Sequence, residues 1–247
     1  VMDILNKRRK RMIRVAINGF GRIGRCALRQ IMDRKDMEVV GINDLTDSLT
    51  LAYLYKYDSV HRTLNSKVAC EDDYIEIDGK KIKVFSESDP NKLPWKDLKV
   101  DIVLECTGAF TSKEKSMAHI NAGAKKVLIS APAKDECKTI VYGVNEKIID
   151  KEDIVLSAAS CTTNCLAPVL NLLNKCFIVE AGFMSTVHAI TNDQETLDIP
   201  HKKGIESRRG RAASLNIVPT STGAASTIGR VIPELNGKLE GASYRVP

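Results

Sequence analysis

The sequence predicts an α/β protein built on a doubly wound parallel sheet. Along residues 13–157, short apolar runs that are typical of buried strands alternate with segments that have helical spacing. The first apolar run is followed by a glycine-rich turn and then by a helical segment, which is the order of a strand–turn–helix unit. The chain has 247 residues, 43% of them apolar, which is enough for one large or two modest domains.

The glycine-rich turn has a spacing that suits phosphate binding. Residues 13–17 predict a buried strand, residues 25–32 predict a helix, and the turn reads Asn18-Gly19-Phe20-Gly21-Arg22-Ile23-Gly24. Gly19 permits a tight turn, Gly21 lets a pyrophosphate approach the backbone, and Gly24 lets the helix pack against the strand. The pyrophosphate would then lie at the helix N-terminus, where backbone N–H groups favour anions. The turn therefore predicts a Rossmann-type dinucleotide-binding domain, and the alternative is a glycine turn in another α/β fold.

A carboxylate follows the second predicted strand. Residues 37–43 predict this strand, and Asp44 follows it, about 20 residues beyond the glycine turn. An acid at this spacing binds the hydroxyls of the adenosine ribose and repels a 2′-phosphate. Asp44 therefore favours NAD over NADP.

The remaining strands of this domain place two further loops near the ligand. Strands are predicted at 100–105, 126–130 and 154–157, a helix at 112–122, and an inserted hairpin at 68–85. In a doubly wound sheet, ligands bind beyond the carboxyl ends of the strands. Thr107 and Ser130 follow two of these strands, so both are candidates to face the cofactor.

A cysteine lies at the start of the next predicted helix. Residues 162–175 have apolar side chains at helical spacing, and Ser160 is a favourable N-cap residue, so Cys161 is expected at the helix N-terminus. A helix N-terminus and a nearby imidazole both favour the thiolate, and His188 follows in an apolar segment that could supply this base. The alternative is that Cys161 is a packing residue, as most buried cysteines are.

Four segments together carry a resemblance to a known family. They are residues 17–25 (INGFGRIGR), 158–165 (AASCTTNC), 219–225 (PTSTGAA) and the stretch from Val231 to Pro247. From Met12 onward the chain resembles glyceraldehyde-3-phosphate dehydrogenase of the phosphorylating, NAD-dependent kind. The resemblance implies an oxidoreductase of glycolysis that works in the cytoplasm as a homotetramer, with a phosphorylated aldehyde and inorganic phosphate as substrates.

The resemblance also implies roles for individual residues. Cys161 would be the nucleophile and His188 the base. NAD would be contacted by the glycine turn and by later strand ends: Asn18, Gly19, Gly21, Arg22, Ile23, Gly24, Asp44, Thr107 and Ser130. Two groups would hold phosphate: Thr191 and Arg245 for the substrate, and Ser160, Thr162, Thr222 and Gly223 for inorganic phosphate.

The implied domain organisation has three parts. Residues 1–11 form a basic, disordered extension, residues 12–160 an NAD-binding domain, and residues 161–247 an α+β catalytic domain with a mixed or antiparallel sheet. Compared with the family, the second domain is expected to lack its C-terminal part. Two alternatives stay open. One is an erythrose-4-phosphate dehydrogenase, which shares the site architecture, and the other is a non-catalytic fragment that binds NAD or a polyanion, which the missing part favours.

Charge and composition limit the other function classes. The net charge is +6, but residues 1–11 hold five basic side chains and one acidic side chain and so supply +4 of it. A basic body that binds nucleic acid is therefore not expected. No apolar run reaches the roughly 18 residues of a membrane span. Seven cysteines without a regular spacing fit a reducing compartment, and no metal-binding pattern is present.

Overall fold

The computed structural model describes residues 11–202 and 204–247. The predicted basic extension therefore lies, except for Arg11, outside the described residues. The chain divides into two compact units. Unit 1 comprises the chain up to Lys138 together with Ile149–Ala158, and unit 2 comprises Thr139–Ile148 and Ala159–Pro247. Residues 139–148 thus pack with unit 2, although they precede the predicted domain boundary at residue 160.

Unit 1 alternates strands and helices in the order that the sequence predicts. Its helices are α1 (Arg22–Met32), α2 (Ser48–Lys56) and α3 (Lys113–Asn121). Its strands are β1 (Ile13–Asn18), β2 (Met37–Asn43), β3 (Tyr57–Asp58), β4 (Arg62–Thr63), β5 (Val68–Glu71), β6 (Tyr74–Ile77), β7 (Lys80–Phe85), β8 (Ile102–Glu105), β9 (Lys126–Ile129) and β10 (Val155–Ser157).

One eight-stranded sheet organises unit 1, in the order β10-β9-β8-β1-β2-β7-β6-β5. Strands β10, β9, β8, β1, β2 and β7 pair in parallel, whereas β5, β6 and β7 pair antiparallel. The predicted hairpin at 68–85 is thus not a separate insertion. Its strand β7 pairs with β2, and the antiparallel strands extend the main sheet beyond it.

The core of unit 1 follows the two faces of this sheet. On β1, Val15 and Ile17 face one apolar cluster with Leu28 of α1, whereas Ala16 between them faces a second cluster around Trp95. Side chains alternate between the faces of a strand, so an uninterrupted apolar run can serve both layers. The carboxyl ends of β1, β2 and β8 then lie side by side, and the loops that follow them form one edge.

Unit 2 contains a small mixed sheet and two helices. Its strands are β11 (Gly182–Ala189), β12 (Val218–Thr220) and β13 (Leu239–Val246), and its helices are α4 (Cys161–Phe177) and α5 (Ala224–Val231). Strand β13 lies in the centre, parallel to β11 and antiparallel to β12. The mixed sheet confirms the α+β class that the resemblance implies.

Helix α4 buries only part of its apolar surface. Leu170 is buried in the core that α4 shares with α5, but Val169, Leu172 and Leu173 are 55%, 64% and 41% exposed. The spacing of these side chains predicts the helix correctly, but it does not tell how much of each face is covered. In the described chain, the second apolar face of α4 is open.

Candidate active site

Cys161 is the first residue of α4, so its thiol lies at the helix N-terminus. The hydroxyl oxygen of Ser160 accepts a hydrogen bond from the Thr163 N–H at 3.0 Å, which caps the helix and fixes its first turn. Cys161 is exposed and lines a groove of 470 Å³ with Thr162, Cys165 and His188. The predicted position of Cys161 at the helix N-terminus is therefore observed.

The imidazole of His188 faces this thiol. His188 lies on β11, and its Nε2 is 3.3 Å from the Sγ of Cys161. Its Nδ1 is 2.8 Å from the carbonyl oxygen of Ala189, which can only accept a hydrogen bond. We assign the ring hydrogen to Nδ1, so that Nε2 presents a lone pair to the thiol. This is the arrangement that a base for Cys161 requires.

Arg245 supports this assignment and lies between the imidazole of His188 and a hydroxyl group. Its Nη1 donates to the carbonyl oxygen of Ala189 at 3.0 Å and to Oγ1 of Thr191 at 2.7 Å, which uses both of its hydrogens. The Nδ1 of His188, 3.0 Å from the same Nη1, is then a neighbour rather than an acceptor. The structure thus brings together three of the predicted residues, His188, Thr191 and Arg245.

The guanidinium of Arg245 belongs to a larger charged cluster. Thr191 donates to Asp193, and Asp193 accepts a hydrogen bond from Arg209 at 2.6 Å. Burial opposes ionisation of Asp193, but Thr191 and the two arginines outweigh it and lower the pKa of this carboxyl. Burial, and then the charge of Arg209, lower the pKa of Arg245. Arg245 is only 7% exposed, and its Nε has no partner among the described residues, which suits a group that meets an anion.

The residues expected to hold inorganic phosphate lie at the starts of two helices that pack together. Ser160 and Thr162 are at the N-terminus of α4, where the Ser160 hydroxyl is occupied by the helix cap. Thr222 and Gly223 precede α5, which packs against α4. The Thr222 Oγ1 accepts a weak hydrogen bond from Ala224 N–H at 3.2 Å. The helix N-termini provide backbone N–H groups at both places.

In unit 1, a cavity of 440 Å³ lies at the carboxyl ends of β1, β2 and β8. Five of the residues predicted to contact the cofactor line it, and several unpredicted ones do as well. The predicted ones are Asn18, Gly19, Gly21, Asp44 and Thr107. The others include Asn43, Leu45, Glu87, Cys106 and Phe110.

The three glycines of the turn have three different surroundings. Gly19 has φ of 90°, and a Cβ there would lie 2.6 Å from the Thr107 nitrogen. A Cβ on Gly24 would lie 2.2 Å from the Gly19 carbonyl oxygen, so Gly24 is required for packing. At Gly21 the position of a Cβ has no described atom within 4 Å other than those of Gly21 and its two chain neighbours. Since no described side chain caps α1 at Gly21, the open space and the free N–H groups fit a pyrophosphate.

Asp44 is held in place by the backbone. One carboxylate oxygen accepts from Phe20 N–H at 2.7 Å and the other from Thr46 N–H at 3.0 Å. Both oxygens keep lone pairs for further donors, as a carboxylate can accept about four hydrogen bonds. The carboxylate lies at the edge of the cavity and can accept hydrogen bonds from ribose hydroxyls.

Four of the residues predicted to bind the cofactor are not among those that line the cavity. Arg22 forms an ion pair with Asp58 at 2.6 Å, and Ile23 is 52% exposed. Gly24 is buried under the turn, and the Ser130 backbone N–H donates to the Glu105 carbonyl oxygen. Arg22 and Ile23 can still contribute their backbone N–H groups at the start of α1.

Sequence reasoning missed two sets of residues. Asn43 and Glu87 lie at the edge of the cavity, and Asp193 and Arg209 lie beside Thr191. Asn43 ends β2 immediately before Asp44, so the rule that ligands lie beyond strand ends could have found it. Arg209 lies in a polar loop with several basic residues, and nothing in the spacing distinguishes it from its neighbours.

All seven cysteines are thiols rather than disulfides. Between residues 11 and 247, Lys203 excepted, no three or more His, Cys, Asp or Glu side chains gather to hold a metal ion. Among the described helices, none is long and apolar enough to span a membrane.

A parallel sheet with a glycine turn that suits a dinucleotide, and a thiol that faces an imidazole, are features of dinucleotide-dependent enzymes. The family model described as "Glyceraldehyde 3-phosphate dehydrogenase, NAD binding domain" matches residues 13–113, and the model of the family's C-terminal domain matches residues 160–247. The chain belongs to the glyceraldehyde-3-phosphate dehydrogenase family, and its first unit carries the NAD-binding domain.

Curated relatives agree with these matches. The chain is 58% identical to glyceraldehyde-3-phosphate dehydrogenase of Clostridium pasteurianum over 236 residues, which is 96% of this chain and 70% of the relative. It is 57% identical over the same length to the enzyme of the same name from Clostridium acetobutylicum. The family prediction is confirmed.

Proposed function

We propose that the chain catalyses the NAD-dependent oxidative phosphorylation of D-glyceraldehyde 3-phosphate to 1,3-bisphosphoglycerate. The observation that carries the proposal is the distance of 3.3 Å between the Cys161 thiol and Nε2 of His188, in a chain of this family. A neutral thiol is a poor nucleophile, and an imidazole within hydrogen-bond reach can take its proton.

The first steps follow from this pair. The Cys161 thiol gives its proton to Nε2 of His188, and the sulfur forms a bond to the aldehyde carbon as the carbonyl π bond breaks. The imidazolium returns this proton to the former carbonyl oxygen, and a hemithioacetal results. The backbone N–H groups at the start of α4 stabilise the negative charge that develops on this oxygen. Nε2 of His188 then accepts the hydroxyl proton as the hemithioacetal is oxidised to a thioester. Bound NAD supplies the acceptor for the hydride that leaves the same carbon.

The second half of the reaction is phosphate attack on the thioester. A phosphate oxygen forms a bond to the acyl carbon, the carbon–sulfur bond breaks, and Cys161 leaves as the thiolate. We assign this phosphate to Ser160, Thr162, Thr222 and Gly223, because small hydroxyls and backbone N–H groups can bind an anion that must exchange. Thr191 and Arg245 hold the phosphate that the substrate retains, since buried arginine next to a hydroxyl suits a phosphate oxygen.

Unit 1 binds NAD in the cavity at the ends of β1, β2 and β8. Asn18, Gly19, Gly21, Asp44 and Thr107 line it, and the start of α1, at Arg22, Ile23 and Gly24, provides the N–H groups for the pyrophosphate. Ser130 directly follows β9 and is proposed as a further contact of the cofactor. We further propose a homotetramer in the cytoplasm, as family membership implies.

The test is an assay of NAD reduction by the purified chain with glyceraldehyde 3-phosphate and phosphate. Cys161→Ser should abolish turnover, whereas Cys165→Ser, one helical turn away, should retain most of it. Erythrose 4-phosphate is assayed in parallel, and a higher kcat/KM for this aldehyde would favour the alternative dehydrogenase. Tight NAD binding without any turnover would favour a non-catalytic binding fragment.

A further inference from the structure

A buried carboxylate lies directly beneath the cofactor cavity. Glu105, the last residue of β8, is 1% exposed and receives four side-chain or backbone donors. The Nδ2 of Asn18 donates to Oε2 at 2.6 Å, and Nε2 of His119 lies 3.0 Å from the same oxygen. The Thr107 N–H donates to Oε1 at 2.8 Å, and the Thr107 hydroxyl donates to it as well. Both oxygens are thus fully used as acceptors, which requires the ionised carboxyl group.

The imidazole of His119 has a fixed tautomer. The Trp95 indole N–H, which can only donate, donates to Nδ1 of His119 at 3.0 Å. Nδ1 therefore carries no hydrogen, and the ring hydrogen is on Nε2, where it points at Glu105. Both His119 and Trp95 are completely buried, so no water can replace either contact.

The donors that converge on Glu105 are also parts of the cavity wall. Asn18 and Thr107 both line the cavity. The Asn18 Oδ1 accepts from Nδ2 of Asn43, and the Cys106 backbone N–H donates to the Asn18 carbonyl oxygen, both at 2.7 Å. Three strand ends, those of β1, β2 and β8, are therefore joined through one network that centres on Glu105.

We propose that Glu105 is a positioning residue for NAD, which acts through Asn18 and Thr107 without touching the cofactor. This inference rests on the proposed function, because it takes the cavity to be the NAD site and gives Glu105 the role of fixing the side chains in its wall. The carboxylate sets the direction of both side chains before the cofactor arrives. These two side chains then lose little further conformational freedom when NAD binds.

An amide cannot replace this carboxylate. In Glu105→Gln, the NH₂ group must face either the Thr107 backbone N–H or the Nε2–H of His119. Thr107 cannot change its backbone donor, and Trp95 prevents His119 from moving its hydrogen to Nδ1. In either orientation the new amide N–H group therefore faces another N–H donor. A buried donor without an acceptor costs free energy.

The experiment measures the NAD dissociation constant of the full chain by calorimetry, with turnover in parallel. Glu105→Gln should weaken NAD binding roughly 10- to 100-fold and raise KM for NAD, while kcat at saturating NAD changes little. The alkylation rate of Cys161, in unit 2, should be unchanged. Ile75→Val, in the core of the same sheet, is the control for general destabilisation, and it should lower the melting temperature without changing NAD affinity.

His119→Gln is the second variant. Its amide can still donate a hydrogen bond to Glu105, so it should weaken NAD binding less than Glu105→Gln does. NAD affinity within twofold of the unmutated chain in folded Glu105→Gln would overturn the proposal. If that variant does not fold, NAD affinity of His119→Gln equal to that of Ile75→Val would overturn it, and weaker affinity would support it. If the unmutated chain binds no NAD, the proposed function fails and this inference fails with it.

Discussion

Arg245 and Thr191 form a direct hydrogen bond, with Nη1 2.7 Å from Oγ1, although they lie on different segments of unit 2. The bond places a buried guanidinium beside a hydroxyl group, next to the imidazole of His188.

Arg245→Lys should weaken binding of the phosphorylated aldehyde. A lysine ammonium cannot reproduce the planar fork of donors that contacts Ala189 and Thr191, so the cationic group would lose its fixed position. We expect KM for glyceraldehyde 3-phosphate to rise about 10- to 100-fold. The unphosphorylated aldehyde should show almost no change. Arg230→Lys on α5 is the matched control, and an equal effect of both variants would contradict the assignment.

Cys161 should be the first cysteine to react with iodoacetamide. It is exposed at a helix N-terminus and 3.3 Å from an imidazole, whereas Cys165 and Cys176 are exposed but lie within and near the end of α4. Mass mapping of the labelled chain gives the order of reaction. His188→Asn should slow labelling of Cys161 and leave Cys176 unchanged. Labelling of Cys26 or Cys176 before Cys161 would contradict the prediction.

The thiol of Cys106 should be inert at neutral pH although it lines the cofactor cavity. Burial raises the pKa of this thiol to about 11. The reactive species is the thiolate, so at pH 8 only about one molecule in a thousand is reactive at this position. The labelling rate of Cys106 should rise about tenfold per pH unit between pH 8 and pH 10. A rate that levels off below pH 9 would show that burial does not control this thiol.

Asp44→Ala should reduce the preference for NAD over NADP. In the proposed site the carboxylate would accept hydrogen bonds from ribose hydroxyls and repel a 2′-phosphate, and the two effects together would be worth roughly 1–3 kcal/mol, or about 10- to 100-fold. Comparing kcat/KM for both cofactors measures the change. Asp73→Ala, a surface carboxylate in an ion pair with Lys83, should leave the ratio unaltered. Equal use of both cofactors by the unmutated chain would refute the role of Asp44.

Two glycine substitutions should separate folding from cofactor binding. In Gly24→Ala the new methyl group would lie 2.2 Å from the Gly19 carbonyl oxygen, and relief of this overlap should destabilise unit 1 by roughly 1–3 kcal/mol or more. In Gly21→Ala the methyl group meets no described atom, so the melting temperature should stay the same. NAD affinity should nevertheless fall, because the methyl group occupies the space for the pyrophosphate. Undiminished NAD affinity of Gly21→Ala would argue against this location.

Local patterns were sufficient to predict the first strand, the glycine turn and the helix that carries Cys161. In each case the signal lies within a few residues, as the Ser160 cap and the spacing of Leu166 and Leu170 illustrate. Helix α2 was not predicted, since its apolar face is short and its main signal is the Asp47 cap, which accepts from Thr50 N–H at 2.8 Å. A single cap before nine residues is weak evidence for a helix.

The relationships that could not be predicted are pairings between distant segments. No local feature of residues 68–85 indicates that β7 pairs with β2, because the same hairpin could form outside the main sheet. The convergence of Asn18, Thr107 and His119 on Glu105 likewise depends on the ends of β1 and β8, the loop after β8 and helix α3, which meet only in the folded unit. The roles of Cys161 and His188 came from family resemblance, and their contact required the structure.

The pairing of β11 with β13 has a kinetic consequence. His188 lies opposite Arg245 in this parallel ladder, although 57 positions separate them in the chain. A parallel pair with so long a connection forms slowly. The connecting chain must lose conformational entropy in closing the loop before any hydrogen bond between the two strands can form. His188 therefore meets Arg245 only when β13 docks on β11. In a refolding chain, binding of the phosphorylated aldehyde through Arg245 should accordingly recover no earlier than the complete sheet of unit 2.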